Sequence, residues 1–146
     1  MGHSELLAWL DRLVPDEALC YALRVDARFE WVHARSVPRQ RRPYRPFSEV
    51  VASQVEFDLP DLVGSMVGFR FPDYAQGLNV PGYHLHVISD DHRRGGHVLD
   101  CRVLEGEVHL DHSSQLHMEL PPGVAWTQPD LSATKRDLIA GAEGES

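Results

Sequence analysis

The stretch Tyr83-His84-Leu85-His86-Val87-Ile88 is followed by a polar segment from Ser89 to Gly95 and then by Gly96-His97. Side chains on a β-strand alternate between two faces, so histidines one residue apart project to the same face. A polar segment that contains glycine is typical of a hairpin connection. If the first strand ends at Ile88 and the second begins at Gly96, His86 lies opposite His97. The pattern therefore predicts a β-hairpin that carries three imidazoles on one face.

Three histidines on adjacent strands, with a coordination position left open, suit a catalytic zinc ion or a similar divalent metal. The chain contains nine histidines, so some lie close together by chance, and a histidine is often only a hydrogen-bonded group. We assign that ordinary role to the histidines that follow no such pattern: His3, His92, His109, His112 and His117. The spacing in the hairpin favours a metal site formed by His84, His86 and His97.

The composition indicates an ordinary globular protein. At 146 residues, with 42% hydrophobic and 25% charged residues, we expect a single domain over residues 1–146, with a frayed tail at 141–146. A net charge of -8 argues against a nucleic-acid partner. No apolar run is long enough for a membrane span, and the N-terminal residues lack the pattern of a signal peptide. Cys20 and Cys101 form no Cys-x-x-Cys pair, and we expect a cytoplasmic protein.

Alternating apolar residues from Leu19 to Arg35 predict a second hairpin. Asp26-Ala27-Arg28 would form its three-residue turn and would pair Val25 with Phe29. The same register would carry His33 and Arg35 onto the apolar face, at the end of the strand. An arginine in that position either reaches out to water or points into a cavity.

The remaining elements follow from shorter patterns. Ser4 to Val14 predicts a short helix, Pro38 to Pro46 an extended, arginine-rich connection, and Phe47 to Val55 a second short helix. Further strands are predicted over Glu56–Leu59, Leu62–Phe71, Glu107–Leu110 and Gln115–Leu120, and a last helix over Leu131–Ala140. Gly64 and Gly68, inside one of these strands, indicate bends or a close approach of the backbone.

The predicted fold class is α+β and β-rich: a mixed or antiparallel sheet, or half-barrel, of about seven strands with small peripheral helices and a zinc site on a β-hairpin. An open edge of such a sheet favours a homodimer. The sequence has no Gly-x-Gly-x-x-Gly, His-Glu-x-x-His or Gly-x-Ser-x-Gly pattern, which argues against dinucleotide, metalloprotease and serine-hydrolase sites of those types.

Several distinctive segments follow one another along the chain: Arg35-Ser36-Val37-Pro38, Gln40, Pro43-Tyr44, Gly68-Phe69, Asn79-Val80-Pro81-Gly82-Tyr83-His84-Leu85-His86 and Gly95-Gly96-His97-Val98-Leu99. In these segments, and in their order, the chain resembles bacterial α-acetolactate decarboxylase from about Tyr21 to Leu120. The resemblance implies that His84, His86 and His97 bind zinc and that Arg35 orients the substrate. It also implies a glutamate near the C-terminus, for which Glu143 is the best match and Glu145 lies close by.

The implied activity is the decarboxylation of (S)-2-acetolactate to (R)-acetoin and CO2, with zinc as Lewis acid, Arg35 on the substrate and Glu143 as proton donor. Members of the family carry an N-terminal portion, with a further active-site glutamate, that has no counterpart here. The chain is therefore expected to match the C-terminal, zinc-binding part of the family. Two alternatives stay open: a catalytically impaired metal-binding remnant or partner subunit, and a cupin-type metalloprotein.

Overall fold

The computed structural model describes residues 1–42, 45, 47–76, 80–115 and 117. Helix α1 spans His3–Leu13 and α2 spans Phe47–Val51, and a single 3-10 turn spans Asp73–Ala75. The strands are β1 (Cys20–Ser36), β2 (Val55–Phe71), β3 (Gly82–Ser89) and β4 (Gly95–Ser113). The predicted helix over Leu131–Ala140, most of the predicted strand over Gln115–Leu120, the 141–146 tail and the residues Glu143 and Glu145 lie outside the described residues.

The four strands form one antiparallel sheet in the order β1-β2-β3-β4, and β4 returns to pair with β1, so the sheet closes on itself. The core fills the inside of this closed sheet, and α1 packs its buried leucines against it. Fully or almost fully buried members include Leu6, Leu10, Val25, Phe29, Val32, Leu62, Met66, Leu85, Val87 and Cys101. Burial raises the pKa of the Cys101 thiol to about 12, which is typical of an inert core cysteine.

Within the described residues, four long strands replace the seven or so that the sequence predicted. The predicted turn at Asp26-Ala27-Arg28 is wrong, because β1 continues through it. Asp26 pairs with Ser65 of β2 on one side and with Glu107 of β4 on the other. The pairing on both sides overrides the local preference of aspartate for a turn.

The predicted strands Glu56–Leu59 and Leu62–Phe71 are likewise one strand, β2. Asp61 adopts a positive φ of 45° within it, in the left-handed region that aspartate tolerates better than most residues. Leu59 and Leu62, on either side of this position, are both buried although they are three residues apart. A local irregularity therefore keeps both halves of β2 directed at one core.

A register shift in β1 determines which side chains face outward. The pairing with β4 slips between Phe29 and Trp31. Phe29 is buried before the slip, and Val32 and Ala34 are buried after it. His33 and Arg35 therefore lie on the outer face, and the prediction that they share the apolar face is wrong.

The closed strand order also bears on assembly. None of the four described strands is an outermost strand of the sheet, which removes the reason for predicting a homodimer. Among the described residues, no helix is both long enough and apolar enough to cross a membrane.

Candidate metal centre

The predicted histidine hairpin is present, formed by β3 and β4. His86 pairs with His97, Val87 with Gly96 and Ile88 with Gly95, in the register that the sequence predicted. Leu85 and Val87 point into the core. Because side chains alternate along a strand, His84 and His86 lie on the outer face, together with His97.

The geometry of the three imidazoles fits a metal ion. The Nε2 atoms of His84 and His86 lie 3.1 Å apart, and one ligand nitrogen from each of the three histidines lies within 4.8 Å of the others. Tetrahedral ligands on zinc, at the usual bond length, are separated by about 3.3 Å. Within the described residues these three form the group of His, Cys, Asp and Glu that could hold a metal ion.

Electrostatics keep His97 in the form that binds metals. Burial, reinforced by the nearby positive charge of Arg35 and by His84 and His86, lowers the pKa of His97 to about 3. The imidazole is therefore neutral at pH 7, and a nitrogen lone pair is available to a metal.

Arg35 lies beside this centre. It pairs with His97 across β1 and β4, so the two side chains share the outer face. Its Nη1 donates a hydrogen bond to Oε1 of Gln54, over 3.3 Å. The structure thus brings four predicted site residues together (Arg35, His84, His86 and His97), whereas Glu143 lies outside the described residues.

Gln54 was not anticipated from the sequence. It follows α2, and its backbone N–H donates to the carbonyl of Val51 in the turn that ends the helix. The turn places the amide side chain against Arg35, which is 19 residues away in the chain. No local pattern marks this contact, because it depends on how α2 packs and not on spacing along one strand.

Two glycines let β3 lie close to β2, as the sequence predicted for Gly64 and Gly68. A Cβ atom on Gly68 would overlap the carbonyl of His84, and one on Gly64 would overlap the carbonyl of Ile88. Gly68 pairs with Leu85, directly between the two histidines of β3. The backbone that carries His84 and His86 therefore packs directly against Gly68, where no side chain intervenes.

A fourth histidine, His33, lies on the same face, two residues from Arg35 along β1. Nδ1 of His33 is 2.7 Å from Oδ1 of Asp58, and Nε2 is 3.4 Å from Oε2 of Glu56. The hydrogen bond to Asp58, with that to Glu56, raises the pKa of His33. His33 is thus held by carboxylates and is not part of the three-histidine group.

Comparisons with known proteins give one result. The family model described as alpha-acetolactate decarboxylase matches residues 1–133. Alpha-acetolactate decarboxylases from Methanosarcina mazei and Methylococcus capsulatus are 49% and 45% identical, each over 96% of this chain. The alignments cover 49% and 54% of those proteins, so the chain spans about half the length of the curated relatives. The crystal structure of the Bacillus subtilis strain 168 alpha-acetolactate decarboxylase superposes with a TM-score of 0.87 at 32% identity, over 98% of this chain and 62% of that one.

Proposed function

The chain belongs to the alpha-acetolactate decarboxylase family, and we propose that it carries the zinc centre at which (S)-2-acetolactate is decarboxylated to (R)-acetoin and CO2. The observation that carries this proposal is the placement of three imidazoles next to Arg35 on the outer face of the sheet. Three protein ligands leave a position for substrate, which is the arrangement of catalytic zinc sites.

His84, His86 and His97 would hold the zinc ion. The chemistry that bound zinc supplies is Lewis-acid stabilisation of the negative charge that develops on the substrate oxygens. Arg35 would hold the carboxylate or hydroxyl side of the substrate through its fork of donors.

The bond between C2 and the carboxylate carbon breaks, and its electron pair moves toward the neighbouring ketone as CO2 leaves. A proton must then reach C2 from one side to set the handedness of acetoin. Glu143 is our proposed donor, from its position near the C-terminus. A carboxyl group that meets only one face of the intermediate would give one enantiomer of the product.

The first experiment is acetoin formation from racemic 2-acetolactate by the purified chain loaded with zinc, with a chelator-treated sample beside it. We expect acetoin in the zinc sample and none after chelation. Absence of acetoin from a sample with stoichiometric zinc would refute catalysis by this chain, while leaving the metal site in place.

Single substitutions test the assigned residues separately. Alanine at His84, His86 or His97 should abolish stoichiometric zinc, and retained zinc in any of the three would refute that ligand set. His109→Ala is the matched control, since His109 is an exposed histidine on β4 that lies 3.6 Å from Asp26. Arg35→Ala should keep the zinc and lose turnover.

The alternative function is that of a metal-binding partner subunit or remnant of the same family, without turnover of its own. Zinc binding without acetoin would select this alternative. Membership of the family leaves the cupin-type interpretation without support.

A further inference from the structure

Two large apolar side chains lie exposed beside the histidines. Val67 and Phe69 of β2 are 41% and 52% exposed, whereas their neighbour Met66 is fully buried on the other face. We call Val67 and Phe69 the apolar strip. Side chains of this kind next to a polar centre suggest contact with an apolar group of a ligand.

The register places the strip directly against the metal ligands. Phe69 pairs with His84, and Val67 pairs with His86. Opposite residues of an antiparallel pair have Cβ atoms about 4.5–5.5 Å apart. Across the neighbouring strands, His86 pairs with His97 of β4, and His97 pairs with Arg35 of β1. The histidines therefore lie between the apolar strip and the guanidinium of Arg35.

The apolar strip on one side of the histidines and Arg35 on the other favour different groups of a ligand bound between them. An anionic group gains most on the β1 side, next to Arg35 and its partner Gln54. An alkyl group gains most on the β2 side, where it removes apolar surface of the strip from water. A ligand with both groups has one favourable orientation.

We propose that Val67 and Phe69 determine specificity by contacting the alkyl substituent at C2 of a 2-hydroxy acid whose carboxylate faces Arg35. The inference rests on the proposed function, because it takes the three histidines as the place where the hydroxyl side of the ligand binds. Burying one methyl group of the ligand increases its affinity about fourfold.

The test is calorimetric titration of the zinc-loaded chain with two unreactive ligands, glycolate and 2-hydroxy-2-methylpropanoate, which differ by two methyl groups. We expect the methylated acid to bind at least about fourfold more tightly to the unsubstituted chain. Val67→Asn should reduce this ratio, because only Phe69 of the strip remains, and Val67→Leu should retain it.

Val63→Asn is the matched control. Val63 is a valine of β2 with similar exposure, but its partner on β1 is Arg28, and it lies four residues along the strand from Val67, the partner of His86. The control should keep the ratio of the unsubstituted chain.

A ratio near one in the unsubstituted chain, or equal losses in Val67→Asn and Val63→Asn, would overturn the inference. A different result would refute the proposed function: a zinc-loaded chain that prefers the methylated acid, and loses part of this preference in Val67→Asn, but forms no acetoin. A chain that binds no zinc would overturn both.

Discussion

Arg35 interacts with two different parts of the site. Its charge is one of the causes, after burial, of the lowered pKa of His97, and its Nη1 donates to Gln54. A guanidinium presents its donors in a fixed planar fork, so a partner that holds one donor also orients the others. We infer that Gln54 is a positioning residue, which acts on the substrate through Arg35.

Replacing Gln54 with leucine should therefore weaken the binding of a carboxylate ligand. A hydrogen bond to a charged group is worth about 1.5–3 kcal/mol, so the affinity of the zinc-loaded chain for 2-hydroxy-2-methylpropanoate should fall roughly tenfold or more. Zinc content should not change. Calorimetric titration measures the affinity, and metal analysis measures the zinc.

Two further variants separate positioning from a general loss of structure. Gln54→Asn keeps a neutral amide oxygen as acceptor and should retain more of the affinity than Gln54→Leu. Gln54→Leu made in an Arg35→Ala chain should have little additional effect, since the group that it positions is gone. If the two substitutions prove additive, Gln54 acts independently of Arg35.

At the scale of elements, the close contact of β2 with β3 fixes where two of the imidazoles stand. Gly68 has no side chain, and the space that a Cβ would need is occupied by the carbonyl of His84. A larger residue would push β3 away from β2, because neither backbone can move without breaking pairs of the ladder. The position of His84 relative to His97 on β4 would change with it.

We accordingly expect Gly68→Ala to reduce zinc affinity by more than tenfold, measured by competition with a chelator of known affinity. Gly106→Ala is the matched control, because a Cβ on Gly106 would meet Ala27 and the carbonyl of Asp26, on β4 and β1 away from the histidines. Both variants should lose about 1–3 kcal/mol of stability from overpacking. Equal losses of zinc affinity would show that strain anywhere in the sheet disturbs the centre.

The elements that the sequence predicted well are those with a local cause. The polar connection from Ser89 to Gly95 and the alternation around His84 and His86 sufficed to give the hairpin and its register. The turn at Asp26-Ala27-Arg28 failed because pairing of β1 on both sides is a long-range effect. The outward direction of Arg35 failed for a related reason, since one slip of register after Phe29 reverses the faces of all later residues.

In the molecule as a whole, neighbouring strands of the closed sheet pair over unequal lengths. β1 pairs with β2 and with β4 along almost all of its length, but β3 and β4 share only three residue pairs. The three histidines lie across this short junction, two on β3 and one on β4. A metal ion held by all three would add a link where the ladder is shortest, so binding of zinc and closure of the sheet should stabilise each other.

Zinc should therefore raise the melting temperature of the entire chain. A ligand that binds only the folded state at a free concentration a hundred times its Kd stabilises that state by about 2.7 kcal/mol. For a domain of this size the gain corresponds to roughly 5–10 °C in Tm, measured by circular dichroism with and without a chelator. His97→Ala should remove the zinc-dependent part of Tm, whereas His109→Ala, on the same strand, should keep it. A Tm that does not respond to zinc, in a chain shown to bind it, would mean that the β3–β4 junction stays closed without the metal.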